Sequence, residues 1–232
     1  MTRDHELKNI DAEDINDLLV NIEKSFDIKF VDTELMHILT FGELCDHIAN
    51  KIQLYNTADC TSQQAFYKLR NAISSTLPIE NSTISTLSSL ADILPKQTRR
   101  SSTKKLEEIL GFQLNILRPP HWVTGILLIL FLGSLIGLYF NWQIGLLGIG
   151  FSIAGFWFAN KIGNELDLQT IGQVAKKMTR ENYLKSRRNP NTFNKNEIEK
   201  VLTEWFSNEL NLDRSKLTRE AKLYDIARKH YW

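Results

Sequence analysis

The sequence predicts an all-α protein built on a two-helix transmembrane hairpin, and three observations carry that prediction. Val123 to Phe140 reads VTGILLILFLGSLIGLYF without a charge, and a second charge-free run goes from Ile144 to Ala159. Elsewhere apolar residues recur at helical spacing, as in Ile15, Leu18, Leu19, Ile22 and Phe26. Bases crowd both flanks of the paired runs, while the connection Asn141, Trp142 and Gln143 carries none.

The hairpin is expected over about residues 122–160. An 18-residue helix rising 1.5 Å per residue is about 27 Å long against a hydrocarbon core of roughly 30 Å, so both helices should stand nearly upright or thin the bilayer. The three-residue connection makes them antiparallel. Pro119 and Pro120 precede the first crossing, where a missing amide donor costs a helix start little. Trp122, Tyr139, Trp142 and Trp157 fall near the water boundaries, which suit amphipathic rings. Arg99, Arg100, Lys104, Lys105 and Arg118 come before the hairpin, and Lys161, Lys176, Lys177 and Arg180 after it. By the positive-inside rule both polar ends are cytoplasmic and Asn141 to Gln143 is translocated, with a bacterial inner membrane as the expected host. Gly133 with Gly137, and Gly148 with Ser152, are small-xxx-small steps that let two helices approach closely. Packing within the hairpin is the first expectation and a homo-oligomer the alternative. Neither crossing holds an ionisable residue, which argues against a proton or ion path.

The 232 residues could make one large domain or two small ones, and 43% apolar with 24% charged residues is ordinary for a folded chain. The formal charge of +1 hides an asymmetry: residues 1–50 hold twelve acids and four bases. An acidic face for a basic partner and basic segments beside anionic lipid would account for it, as would ordinary solvated helix faces. Cys45 and Cys60 are too few for a disulfide framework. The polar start, Met1 to Asn9, resembles neither a secretory signal nor a lipidation motif, so the interior hairpin is expected to provide the membrane attachment.

The segment D11-A-E-D-I-N-D-L-L-V-N-I-E-K-S-F26, then D-I-K-F-V-D and I38-L-T-F-G-E-L-C-D-H-I48, resembles the second to fourth helices of acyl carrier proteins. In that family a Ser opening the second helix carries the phosphopantetheine arm. The matching position is Ala12, which has no hydroxyl, so the resemblance implies a carrier-like fold without the carrier chemistry. At the other end, N196-E-I-E-K-V-L-T-E-W-F to Leu223 looks like a carrier first helix and loop. One bundle built from both termini is therefore expected, with independent helical appendages as the alternative.

A second copy resembles the same family: Ala65 to Asp92 as first helix and loop, Thr103 to Leu117 as second helix and exit, Leu168 to Met178 as last helix. The hairpin would interrupt it. Lys96 takes the serine position, Ser101 and Ser102 lie too far into the helix, and the lysines invert the family's acidic second helix. The expected organisation is 1–55, 61–118, 122–160, 165–185 and 193–232.

Other chemistry finds little support. Cys45 and His47 project to different faces of one helix with no third polar partner nearby in sequence. Cys60, with Asp59, Thr61 and Ser62, reads as the cap of a Gln63–Ile73 helix. The histidines lack metal-ligand spacing and no phosphate-binding glycine loop occurs. The bases Arg99, Arg100, Lys104, Lys105, Arg187 and Arg188 are expected at lipid headgroups, and without interleaved aromatics they do not suggest nucleic acid. The expected function is a non-catalytic, cofactor-free module that uses Asp11, Glu13, Asp14, Asp17 and Glu23 to dock a basic protein surface of lipid or envelope metabolism. A carrier modified on another serine and a structural membrane protein that oligomerises through its hairpin are the alternatives.

Overall fold

The apolar stripe of the N-terminal segment forms α1 (Ala12–Phe26), with Glu13 and Asp14 in its first turn, where they oppose the helix dipole. The computed structural model describes residues 12–31 and 33–223, except for the side chain of Ala12. The expected docking residue Asp11, Asp32 and the segment after Leu223 lie outside the described residues. The order continues with α2 (Phe41–Lys51), β1 (Tyr55–Asn56), α3 (Thr61–Thr76), α4 (Leu90–Ile93) and α5 (Arg99–Leu110). Then come β2 (Leu117–Arg118), α6 (His121–Phe140), α7 (Trp142–Ile162), β3 (Glu165–Leu166) and α8 (Ile171–Glu181). Last are α9 (Tyr183–Ser186), β4 (Thr192–Phe193) and α10 (Lys195–Glu209). The chain is mostly helical, with strands of two residues each.

Two compact units result: residues 1–73, 110–112 and 175–232 in one, 74–109 and 113–174 in the other. In the first, α1, α2 and α10 share one core. Ile15, Leu18, Ile22 and Phe26 meet Phe41, Leu44 and Ile48 from α2, and Ile198, Leu202, Trp205 and Phe206 from α10. The Phe41 and Phe206 rings meet edge to face at 5.2 Å. Backbone bonds reinforce the join: Phe41 N–H donates to Ala221 O at 2.8 Å, and Leu223 N–H to Leu39 O at 2.8 Å. Strands β1 and β4 pair in parallel. Segments from the two ends of the sequence thus fold around a common interior.

The second unit contains the apolar pair α6 and α7. Their helices are longer than the charge-free runs, 20 and 21 residues, because the polar His121, Asn160 and Lys161 remain helical. At 1.5 Å per residue both reach about 30 Å, so the expected shortfall against a bilayer disappears. The connection is also tighter than three residues. Asn141 alone separates the helices, and its side chain accepts from Gln143 N–H and Ile144 N–H to cap α7. At the other end, antiparallel β2 and β3 bring entry and exit together. Gly163 is required there, since a Cβ on it would lie 2.5 Å from the Arg118 carbonyl carbon.

The same local designs occur twice. Thr40 caps α2 and Glu43 reaches back to Thr40 N–H; Thr170 and Gln173 repeat this at α8. Next to each cap a glycine, Gly42 or Gly172, donates its N–H to Arg219 O or Thr86 O, and a Cβ on either would sit 2.8 Å from that oxygen. Glu23 accepts from Phe30 N–H, and Glu107 accepts from Leu114 N–H at 2.7 Å. The intervening turns are left-handed, at Asp27 (φ 51°) and Gly111 (φ 77°). Buried Ala65, Leu69, Ala72 and Ile73 of α3 repeat the spacing of buried Ile198, Leu202, Trp205 and Phe206 of α10. Even the short 3-10 turns recur, at Asn81–Thr83 and Arg214–Lys216. The described residues thus hold two runs of matching local elements, the second of them interrupted by α6 and α7.

Candidate functional site

The α1 stripe that fills the core leaves Glu13, Asp14 and Asp17 exposed on the helix's other side. Glu23 does not belong with them. Its side chain accepts from Phe30 N–H and, at 3.5 Å, from Lys29 Nζ, so it closes the turn after α1 and is only 14% exposed. This corrects the expectation that it docks a partner. Ala12, where the resemblance leads one to expect a serine, is the first residue of α1. The equivalent Lys96 is exposed and salt-bridged to Glu165 at 2.7 Å.

The segment after α1 is held by a charge cluster that sequence spacing did not reveal. Glu34 accepts two bonds from Lys51 Nζ at 2.6 and 2.7 Å and one from Val31 N–H at 2.9 Å, and His47 Nε2 lies 2.7 Å away. Burial pushes the Glu34 carboxyl upward in pKa, but these bonds and the Lys51 charge outweigh it and hold it at about 2. Cys45, on the opposite side of α2, is buried, and desolvation with the nearby Glu199 carboxylate pushes its thiol up to about 12. A thiol held protonated in this way is a poor nucleophile.

Two of the expected headgroup bases are structural instead. Arg187 is fully buried. Its Nε donates to Thr192 Oγ1 at 3.1 Å, Nη2 to Thr57 Oγ1 at 2.7 Å, and Nη1 to Asp59 O at 3.3 Å and to Thr61 Oγ1. Thr61 N–H in turn donates to both Glu197 oxygens at 3.0 Å. Thr61 therefore links a buried guanidinium to a carboxylate, and the start of α3 is capped by Glu197 rather than by the Asp59–Ser62 cluster. The helix also extends beyond the expected Gln63–Ile73 at both ends. Arg99, likewise buried, donates from Nε to Leu94 O at 2.9 Å and from Nη1 to Asn164 O at 2.7 Å. Arg100, Lys104, Lys105 and Arg188 remain exposed.

On the hairpin, a Cβ at Gly137 would lie 3.8 Å from Gly145, and one at Gly148 would collide with the Ser134 hydroxyl. Ser152 is buried and donates to Gly148 O at 2.8 Å. Gly133 has open space where its side chain would be, so it is not part of the α6–α7 contact. The close approaches missed from sequence are Gly145, whose Cβ would meet Leu138 N at 2.6 Å, and Gly155, whose Cβ would meet Leu127 Cδ2 at 2.6 Å.

Among the described residues of the first unit, a cleft of about 370 Å³ lies beside Glu199 and Arg214 and one of about 340 Å³ beside Cys60, Tyr67 and Arg188. Among the described residues no three His, Cys, Asp or Glu side chains gather to hold a metal ion. Fold and surface together define a mostly helical chain of two compact units, with two helices long and apolar enough to cross a membrane. No protein-family model, curated protein or solved structure matches the chain.

Proposed function

We propose that this chain is a membrane-held, non-catalytic docking module of duplicated acyl-carrier-like design, which presents the acidic face of α1 to a basic protein surface in lipid or envelope metabolism. The observation that carries the reading is the pairing of an exposed acid run, Glu13, Asp14 and Asp17, with an alanine where a carrier needs its serine. The shared core of α1, α2 and α10 supports a single bundle from both termini. The order of elements, beginning at α10 and closing through α1 and α2, is that of a carrier with its chain ends relocated.

Membrane attachment is supported by the surfaces of α6 and α7. Only 6% and 17% of their most apolar windows are buried, so they do not serve as the core of a soluble fold. Leaving Ile129, Ile136, Leu147 and Phe151 in water, each at least 65% exposed, would be costly at roughly 25 cal/mol per Å². Trp122 and Trp157 near one end of the pair, and Tyr139 and Trp142 at the other, suit two interfaces. Bases at the first end make it the cytoplasmic one and Asn141 to Gln143 the far side.

The test uses the full chain in lipid nanodiscs. Crosslinked capture of the partner should fall steeply with salt and be abolished by Asp14→Lys with Asp17→Lys, since such charges govern encounter and specificity. Capture unchanged by this reversal would remove the docking reading. Incubation with a phosphopantetheinyl transferase should leave the intact mass unchanged, and a gain would instead make the protein a true carrier. Gly133 favours a second reading, self-association of α6 through a glycine that α7 leaves uncovered. Crosslinked dimers that survive Gly133→Leu would end that reading.

A further inference from the structure

The bases around the hairpin sort into two groups. Lys96 and Arg118 are neutralised by Glu165 and Asp167, and Arg99 is buried against carbonyls. Arg100, Lys104 and Lys161 have no ion-pair partner among the described residues. They are also gathered. Arg100 Nη2 donates to Lys161 O at 3.0 Å, which pins the first turn of α5 to the last turn of α7. Lys104 follows Arg100 by four residues, on the same face of α5. The Lys161 ammonium lies 4.9 Å from the centre of the Trp157 ring, itself exposed at that end of the apolar helix.

We propose that Arg100, Lys104 and Lys161 bind the phosphate of an anionic phospholipid whose acyl chains run along α7 below Trp157. This rests on the membrane reading of α6 and α7. Three unneutralised cations at the rim of an apolar surface fit a ligand that is anionic at one end and apolar at the other. The arginine fork is suited to phosphate geometry, and the lysine stem lets its charge reach the headgroup level. The matching runs supply an internal comparison. The α1 residues equivalent to Arg99, Arg100 and Lys104 are Ile15, Asn16 and Val20. Arg99 shares burial with Ile15 and so belongs to the fold. Arg100 and Lys104 have no basic counterpart in the copy without the hairpin, so the shared fold does not require them.

The experiment takes the full chain in detergent micelles, titrates phosphatidylglycerol or phosphatidylcholine, and counts retained lipid by native mass spectrometry. Phosphatidylglycerol should be retained preferentially. Arg100→Gln, Lys104→Gln and Lys161→Gln should each weaken retention roughly fivefold, and Lys96→Gln with Arg118→Gln should not. Equal retention of the two lipids, or an unaffected triple variant, overturns the proposal. Displacement by millimolar inorganic phosphate also overturns it, because the site would then be one for free anions. Alkaline extraction of reconstituted vesicles separates this from the underlying reading: protein that washes off sinks membrane insertion itself, whereas embedded protein with no lipid preference sinks only the headgroup site.

Discussion

Arg187→Met is the most informative single substitution in the first unit. The native guanidinium, with no exposed surface, donates to three threonine hydroxyls and the Asp59 carbonyl, and its carbon lies 5.8 Å from the Tyr183 ring centre. Hydrogen bonds from a charged group contribute roughly 1.5–3 kcal/mol each, but bonds sharing one side chain do not add. Methionine fills the volume, yet it removes the donor to the Thr57 and Thr61 hydroxyls, leaves Asp59 O only its bond from Asn194 Nδ2, and leaves the Glu197 carboxylate without the cation that Thr61 links to it. Breaking a buried charge system in this way costs about 3–5 kcal/mol. Hydrogen exchange of the full chain in micelles should therefore show α10 and the first turns of α3 losing about a hundred- to five-thousandfold in protection. Helices α5 and α6 of the second unit are the internal reference. Arg188→Met, at an exposed position, should change protection by less than about 0.5 kcal/mol. If Arg187→Met matches the native chain, or if the two variants are equally damaging, the linkage through Thr61 does not hold the fold.

Trp205→Ala removes a side chain that is 1% exposed at the centre of the common core and should cost about 3–5 kcal/mol in denaturant unfolding of the first unit. Glu34 gives a pH dependence of known sign. Its carboxyl lies at about 2 against an ordinary 4.5, so its contribution is complete above pH 4.5 and is lost as the pH falls through about 2. Acid unfolding followed by helical signal should be flatter across that window in Glu34→Gln. Gly42→Ala and Gly172→Ala each force a backbone oxygen to move from 2.8 Å and should cost roughly 1–3 kcal/mol, with lost exchange protection confined to the first unit for Gly42 and to the second for Gly172. Gly148→Leu should lower the thermal stability of the α6–α7 pair in micelles, whereas Gly133→Leu should not.

The apolar helices were legible because a run without a charge admits few other readings. Their ends were less so, because Asn160 and Lys161 look like loop residues and continue the helix all the same. The α1 stripe gave its core face correctly, since helical spacing decides which side is buried. The roles of the charged residues were hidden for a physical reason: their partners are mainly backbone atoms and hydroxyls, sometimes distant in sequence. Nothing near Arg187 announces Thr57 or Thr61, and nothing near Glu23 marks Phe30 N–H as its partner. A usable signal existed for the recurrence of the two capping sites. Thr40-Phe-Gly-Glu43 and Thr170-Ile-Gly-Gln173 share a capping box with a glycine two residues after the cap, and that glycine is needed because another backbone passes there.

Two runs of matching local elements in a single chain let core and surface be compared position by position. Some positions that pack stay apolar in both, as with Ile22 and Leu106 or Phe26 and Leu110, and others keep only their burial, as with Ile15 and Arg99. Exposed positions are free of that constraint and have diverged in charge: Val20 and Asn21 of α1 stand opposite Lys104 and Lys105 of α5, and Lys24 opposite Glu108. If each surface is shaped by what it meets, then giving α1 the residues of α5 should change binding and not folding. Val20→Lys with Asn21→Lys lies on exposed ground and should leave stability within about 0.5 kcal/mol. The same pair should weaken docking of a basic protein, because it sets cations beside Asp17 on the acidic helix. A stable double variant that captures the partner at native strength and native salt dependence would mean that the divergence in charge has no bearing on what α1 binds.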